Sequence, residues 1–178
     1  MALNNRSVTP SFAIIMLTLV ATLSGCQDQA QPTTTITAIN DPDLATALQA
    51  ENVLTVFKSP TCGCCDDWVD HMRDNGFDIV AHNRDNMHPI KQAAGLQPGL
   101  GSCHTAFING YAIEGHVPAA DVRALLASQP DALGLAVPGM PFGSPGMEMG
   151  DRVDAYDVVL YTETSASVFN HYPVPEQQ

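Results

Sequence analysis

Basic side chains are scarce: 7 Lys and Arg stand against 19 Asp and Glu in 178 residues, a formal charge of −12. Nucleic-acid binding rests on clustered cations that neutralise phosphates, which this chain does not supply. Long apolar runs are also missing. The uncharged stretch Phe12–Leu23 falls short of the roughly 20 residues that a spanning helix needs. There is no Walker sequence, no G-x-S-x-G and no H-E-x-x-H, so the common phosphate, serine-hydrolase and zinc-protease signatures are absent. What remains is a chain 45% apolar and 15% charged, which favours a packed core over wholesale disorder. Its length suits one domain, or one small domain with an extension.

The N-terminus reads as an address. Met1–Arg6 carries one basic side chain, the short apolar stretch follows, and Leu23-Ser24-Gly25-Cys26 ends it. A basic start, a short apolar region and small residues before a cut fit a secretory signal. The ending resembles the bacterial lipobox, in which the Cys is diacylated and becomes the mature N-terminus. Residues 1–25 are therefore expected to be a lipoprotein signal peptide and Cys26 the lipidation site. Ordinary signal cleavage and an uncleaved anchor are the alternatives. Gln27 after the Cys favours sorting to the outer membrane, so the expected location is the periplasm, with the membrane as a partner through the lipid. Residues 26–50 read as a polar tether and lead-in, with almost nothing to bury in Gln27–Thr37.

Beyond a short helix within Asp43–Ala50, the pattern becomes regular. Val53–Phe57 is a buried-strand run, Asp66–Asn75 a helix ended by Gly76, and Phe77–Ala81 a second strand. Pro89–Ala94 is a short helix. Thr105–Ile108 and Tyr111–Glu114 flank Asn109-Gly110, a strong hairpin signal. Pro118 opens a last helix that stops before Pro130. The order β-α-β-α-β-β-α predicts an α/β, thioredoxin-like domain over residues 51–130. Residues 131–178 are then an extension packed on the core: a Gly/Pro/Met-rich surface loop over Leu133–Met149, a strand at Tyr156–Tyr161, and a polar tail from Pro173.

Chemistry concentrates in the cysteines. With Cys26 assigned to lipid, Cys62, Cys64, Cys65 and Cys103 remain. Cys62 and Cys65 form a C-x-x-C pair at a helix N-terminus, where amide dipoles favour anionic sulfur. Cys64 adds a third sulfur to the same turn. A dithiol oxidoreductase needs two, so the extra thiol points to multi-thiolate metal binding, with Cu(I) favoured and Zn(II) the main competitor. Cys103, just before the third core strand, can approach the other three if the fold is thioredoxin-like. Two readings stay open beside it: thiol–disulfide exchange by Cys62 and Cys65 without a metal, and structural disulfides.

Other donors carry weaker signals. His104 adjoins Cys103 and can add a nitrogen. His116 reads as a capping or packing residue, while His71, His82 and His88 read as solvated. Met140, Met147 and Met149 offer thioethers on a loop that can fold over a site, with Met147 the expected ligand among them. Trp68 reads as core, and Asp66, Asp67, Asp70 and Asp74 as a solvated helix face.

Four segments occur in one order: Thr61-Cys62-Gly63-Cys64-Cys65, Ser102-Cys103-His104-Thr105-Ala106, Glu114-Gly115-His116-Val117-Pro118-Ala119 and Gly134-Leu135-Ala136-Val137-Pro138-Gly139-Met140-Pro141. Together they resemble the CopG-type copper-resistance family, over about Val53–Thr162. The resemblance implies a periplasmic, thioredoxin-like copper-binding protein, its thiolate motif on Cys62, Cys64 and Cys65 and its separate cysteine at Cys103. The expectation is Cu(I) capture by four sulfurs, in a multinuclear cluster, with copper redox activity or dithiol exchange as a second capability. Other periplasmic copper-handling proteins are the expected partners.

Overall fold

A computed structural model of the protein describes residues 41–176. The expected signal peptide, the expected lipidation site Cys26 and most of the expected tether lie outside the described residues. Within them the chain runs α1 (Pro42–Ala47), β1 (Val53–Lys58), α2 (Gly63–Asp74), β2 (Asp78–Asn83), α3 (His88–Ala93), β3 (His104–Ile108), β4 (Tyr111–Glu114), α4 (Ala119–Ser128), β5 (Gly134–Ala136), β6 (Tyr156–Tyr161) and β7 (Ala166–Tyr172). The fold is α/β, and β1 to α4 follow the β-α-β-α-β-β-α order read from the sequence.

All seven strands form one mixed sheet in the order β2-β1-β3-β4-β5-β6-β7. β1 pairs with β2, and β4 with β5, in parallel; the other pairings are antiparallel. Alternation along the strands separates two apolar layers, as a period of two requires. Leu54, Val56, Ala106, Ile108, Ile113 and Leu135 pack with Trp68 and Met72 of α2 and Val122 and Leu125 of α4. Phe57, Phe107, Ala112, Ala136 and Tyr161 pack with Leu44 and Ala47 of α1 and Ile90 of α3. The sheet is thus buried on both faces along its centre, which explains why β1 reads as a continuous apolar run.

Two parts of the chain depart from the sequence reading. Leu133–Met149 is not a loop throughout, because Gly134–Ala136 is a fully buried strand beside β4. Three residues are too few to show a period, and the Gly there reads as a breaker. The contact explains it: a Cβ on Gly134 would lie 1.8 Å from the Ala112 carbonyl oxygen. β7 was not expected either. Its residues are mostly exposed, so its sequence lacks the apolar alternation that marks a strand. Residues 134–136, 156–161 and 166–172 therefore continue the core sheet.

Candidate metal centre

α2 starts earlier than its apolar pattern, at Gly63, with Cys62 as its N-cap residue. Cys64 and Cys65 therefore belong to the first helical turn. Cys62 makes no side-chain capping bond, so its sulfur is not engaged by the helix amides. Lys58, buried at the end of β1, pairs with Asp66 Oδ1 at 3.0 Å and donates to the Ser59 carbonyl at 3.3 Å. That contact holds the strand end, the turn and the helix start as one piece.

Cys103 comes from the other side, in the loop entering β3. The sulfurs of Cys62, Cys64, Cys65 and Cys103 all lie within 4.8 Å of one another. The structure thus brings together the four cysteines that the sequence separates by about forty residues. Cys62 and Cys65 are joined as a disulfide, while Cys64 and Cys103 are free, with Cys64 Sγ 3.6 Å from Cys62 Sγ. Cys65 is fully buried and the other three are partly exposed. Burial pushes the Cys103 thiol up to about 11, and the charge of Cys64 adds to the shift.

Two imidazoles stand on the far side of Cys103. His116 Nε2 is 3.1 Å from Cys103 Sγ, and His104 Nδ1 is 3.3 Å from it. The Pro145 carbonyl, 2.8 Å from His116 Nδ1, can only accept, so that nitrogen carries the proton and Nε2 presents its lone pair to the sulfur. Burial lowers the affinity of His116 for a second proton, and it does so strongly for His104. His104 Nε2 is buried without a hydrogen-bond partner among the described residues. Trp68 packs its ring 4.4 Å from His104 and donates its indole N–H to the Val117 carbonyl, a core residue as expected.

Of the two roles read for His116, packing holds and capping does not: the side chain is fully buried, and Pro118 is the N-cap of α4. Thr105 faces Glu114 across the β3–β4 ladder, and two steps outward on each strand bring Cys103 opposite His116. The hairpin signal contains that pairing, since the register set by the Asn109-Gly110 turn runs on past the strand ends. His71 and His82 are not simply solvated. His71 Nε2 accepts the Ala119 amide at 3.2 Å, and His82 pairs with Asp43 at 3.2 Å and stacks on Phe57. Asp66, Asp67, Asp70 and Asp74 are exposed, as expected.

The Gly/Pro/Met segment packs against this cluster at several points. Gly139 N–H donates to the Gly101 carbonyl, Ser102 Oγ donates to the Gly139 carbonyl, and Pro145 receives His116. Gly146 lies against the Cys64 carbonyl and the Trp68 amide. Met147 is nearly buried, whereas Met140 and Met149 are more than half exposed.

Two solved structures named copper resistance protein CopG, forms 1 and 2, match the chain at 48% and 47% identity. Each match covers 70% of this chain and 100% of the other, with a TM-score of 0.66. This chain belongs to the CopG copper-resistance family. A family model described as a protein of unknown function, DUF411, matches residues 100–147, which span the Cys103 loop, the hairpin and the covering segment of this CopG-family chain. No curated protein matches it.

The donor set suits a soft metal. Sulfur and neutral imidazole are ligands for Cu(I) and Zn(II), and carboxylate oxygens are not part of the cluster. The buried, unpartnered His104 nitrogen shows a polar group whose hydrogen-bonding capacity is unspent at this site.

Proposed function

We propose that this protein captures Cu(I) through Cys62, Cys64, Cys65 and Cys103 and serves copper resistance. The observation that carries the reading is the convergence of four sulfurs within 4.8 Å, two of them free in this state. In the same reading, residues 51–130 are a thioredoxin-like metal-binding domain and 131–178 its extension. Cys26 anchors the chain by lipid to the outer membrane on the periplasmic side, where other copper-handling proteins are its partners.

Full ligation requires reduction of the Cys62–Cys65 disulfide, which takes up two electrons and two protons to give two thiols. Four thiolates this close bridge metal ions readily, so the expected cargo is a small Cu(I) cluster. His116 Nε2 and His104 Nδ1 are the nitrogen donors on the Cys103 side. Met147 is the thioether held nearest the protein interior among the three methionines of the covering segment. The redox capability has a balanced form: two Cu(II) oxidise the Cys62 and Cys65 thiols to the disulfide, two protons leave, and two Cu(I) result.

A second reading is favoured by the disulfide itself. Cys62 and Cys65 form a C-x-x-C disulfide at the start of α2, and in this reading they exchange thiol for disulfide without a metal and without Cys64. The two separate experimentally. The full chain, reduced without oxygen, is titrated with Cu(I) against a chromophoric competitor while free thiols are counted. Capture predicts more than one copper per chain with four thiols protected, and a loss of about 10-fold or more in affinity for Cys64→Ser or Cys103→Ser. A ratio that stops at one removes the cluster. No uptake with four reactive thiols present removes capture and leaves exchange, for which Cys64→Ser is mild.

A further inference from the structure

Glu114 contributes no soft donor, yet its side chain is completely buried at the end of β4 beside the site. Its carboxylate is fully engaged. Oε1 accepts the Ser102 backbone N–H at 2.6 Å and pairs with Lys91 Nζ from α3. Oε2 accepts the Thr105 hydroxyl at 2.6 Å, and Lys91 donates to that same hydroxyl at 3.3 Å. Ser102 precedes Cys103 and Thr105 follows it by two residues, so one carboxylate grips the chain on both sides of the sulfur. Ser102 in turn holds Gly139 of the covering segment.

A buried ion pair is a weak source of stability, because desolvation offsets most of its attraction, and apolar residues of similar volume often serve the fold as well. Stability alone is therefore a poor account of the pair. The contacts supply another, since both ends of the Cys103 turn depend on the same two side chains. Supporting shells of this kind set how closely ligands meet a metal.

We propose that the Lys91–Glu114 pair, with its carboxylate fully buried and its ammonium partly so, is a positioning device for Cys103, which holds the Ser102–Cys103 turn so that the sulfur stands within ligand distance of the Cys62–Cys65 turn before any metal arrives. Lys91 and Glu114 are positioning residues that act through Ser102 and Thr105. The effect on copper rests on the Cu(I) reading above; the effect on the Cys103 turn does not.

The test compares two full-chain double variants. In Lys91→Met/Glu114→Gln the pair is uncharged, but the amide oxygen still accepts the Ser102 N–H. In Lys91→Met/Glu114→Leu the space is filled and the acceptor is gone. The Leu variant is expected to lose amide-exchange protection at Ser102, to alkylate Cys103 faster than wild type when reduced and metal-free, and to bind Cu(I) about 10–100-fold more weakly. The Gln variant keeps most of each property. Adding Cys103→Ser to the Leu variant costs less than it does in wild type, whereas adding Cys62→Ser costs the same in both, because coupling is confined to the group being positioned. Equal Ser102 exchange and equal affinity in the two variants overturn the proposal. So does an affinity loss with Ser102 exchange unchanged, or equal coupling to Cys62 and Cys103. If Cys103→Ser alone leaves Cu(I) affinity intact, the copper reading falls, and Ser102 exchange with Cys103 alkylation still decides the positioning. Should a double variant not fold, Glu114→Asp draws the carboxylate back by one methylene, keeps Lys91 paired and is read by the same measurements.

Discussion

Gly146 shows how a single residue sets the cover of the site. Its φ is +80°, and a Cβ there would meet the Cys64 carbonyl oxygen and the Trp68 amide nitrogen, each at 2.7 Å. Both are backbone atoms of α2 and cannot swing aside. Gly146→Ala is therefore expected to cost about 2 kcal/mol or more from overpacking and left-handed strain. It should also lift the covering segment from the cysteine turn. A lower Tm together with faster alkylation of reduced Cys64 would show both effects; unchanged Cys64 reactivity would mean that the segment does not shield the turn. Among the cysteines, residue identity and spacing already indicated a multi-thiol turn. Histidine roles were not legible in that way, because an imidazole reads alike as cap, packing residue or ligand until its neighbours are known. His116 is the example: its Nδ1 is committed to a carbonyl 29 residues away, and only that contact leaves Nε2 facing Cys103.

At the scale of elements, β7 depends on α4. Asp121, buried in the first turn of α4, accepts from Tyr172 Oη at 2.7 Å and Asn170 Nδ2 at 2.8 Å, both on β7. Tyr172 also stacks on Tyr156 of β6, with ring centroids 4.8 Å apart. Burial, then the bond to Asp121, raises the Tyr172 phenol well above its ordinary range, so it stays a donor at any physiological pH. Asp121→Ala removes two hydrogen bonds to a charged group, at about 1.5–3 kcal/mol each before relaxation. The expected result is a lower denaturation midpoint, with exchange protection lost in 166–172 before β1. Uniform loss across the sheet would show that β7 is not held by this contact. The hairpin and α4 were readable because Asn-Gly and Pro each have one strong local meaning. β7 was not, since its order comes from a distant aspartate and an edge pairing rather than from its own pattern.

For the molecule as a whole, acid should act in two stages. Burial lowers the pKa of His71, with Glu148 and Asp74 pulling the other way, and its neutral Nε2 accepts the Ala119 amide. A base whose folded pKa is depressed binds its proton more readily when unfolded. Its contribution is therefore complete above about 6.5 and is lost as pH falls below that value. His104 and His116, kept neutral by burial, act in the same direction. Asp41 is held at about 2, chiefly by its hydrogen bond from Arg84, and it also caps α1. Its contribution is present above the ordinary value of 3.8 and is lost between there and about 2. Urea midpoints of the metal-free protein should be level above pH 7, fall toward pH 5, and fall again below pH 4. His71→Gln, which keeps an acceptor for Ala119 without a titrating group, should flatten part of the first stage. Asp41→Asn should flatten the second, and an unchanged profile in either variant would refute that assignment.

Local chemistry in the sequence determined the acidic, core-forming character of the chain, the element order from Val53 to Ser128, and the cysteine-rich turn before a helix. Each follows from composition, from short-range periodicity, or from residues such as Pro and Gly whose backbone preferences hold in any context. Tertiary structure alone decided which donors meet. Cys103 reaches the other sulfurs because β3 lies beside β1, and His116 reaches Cys103 because the hairpin register carries it there. The Lys91–Glu114 pair, the buried β5 and the edge strand β7 likewise arise from contacts between segments far apart in sequence. Burial and hydrogen bonding across such distances depend on the assembled core, and no local window of the chain contains both partners.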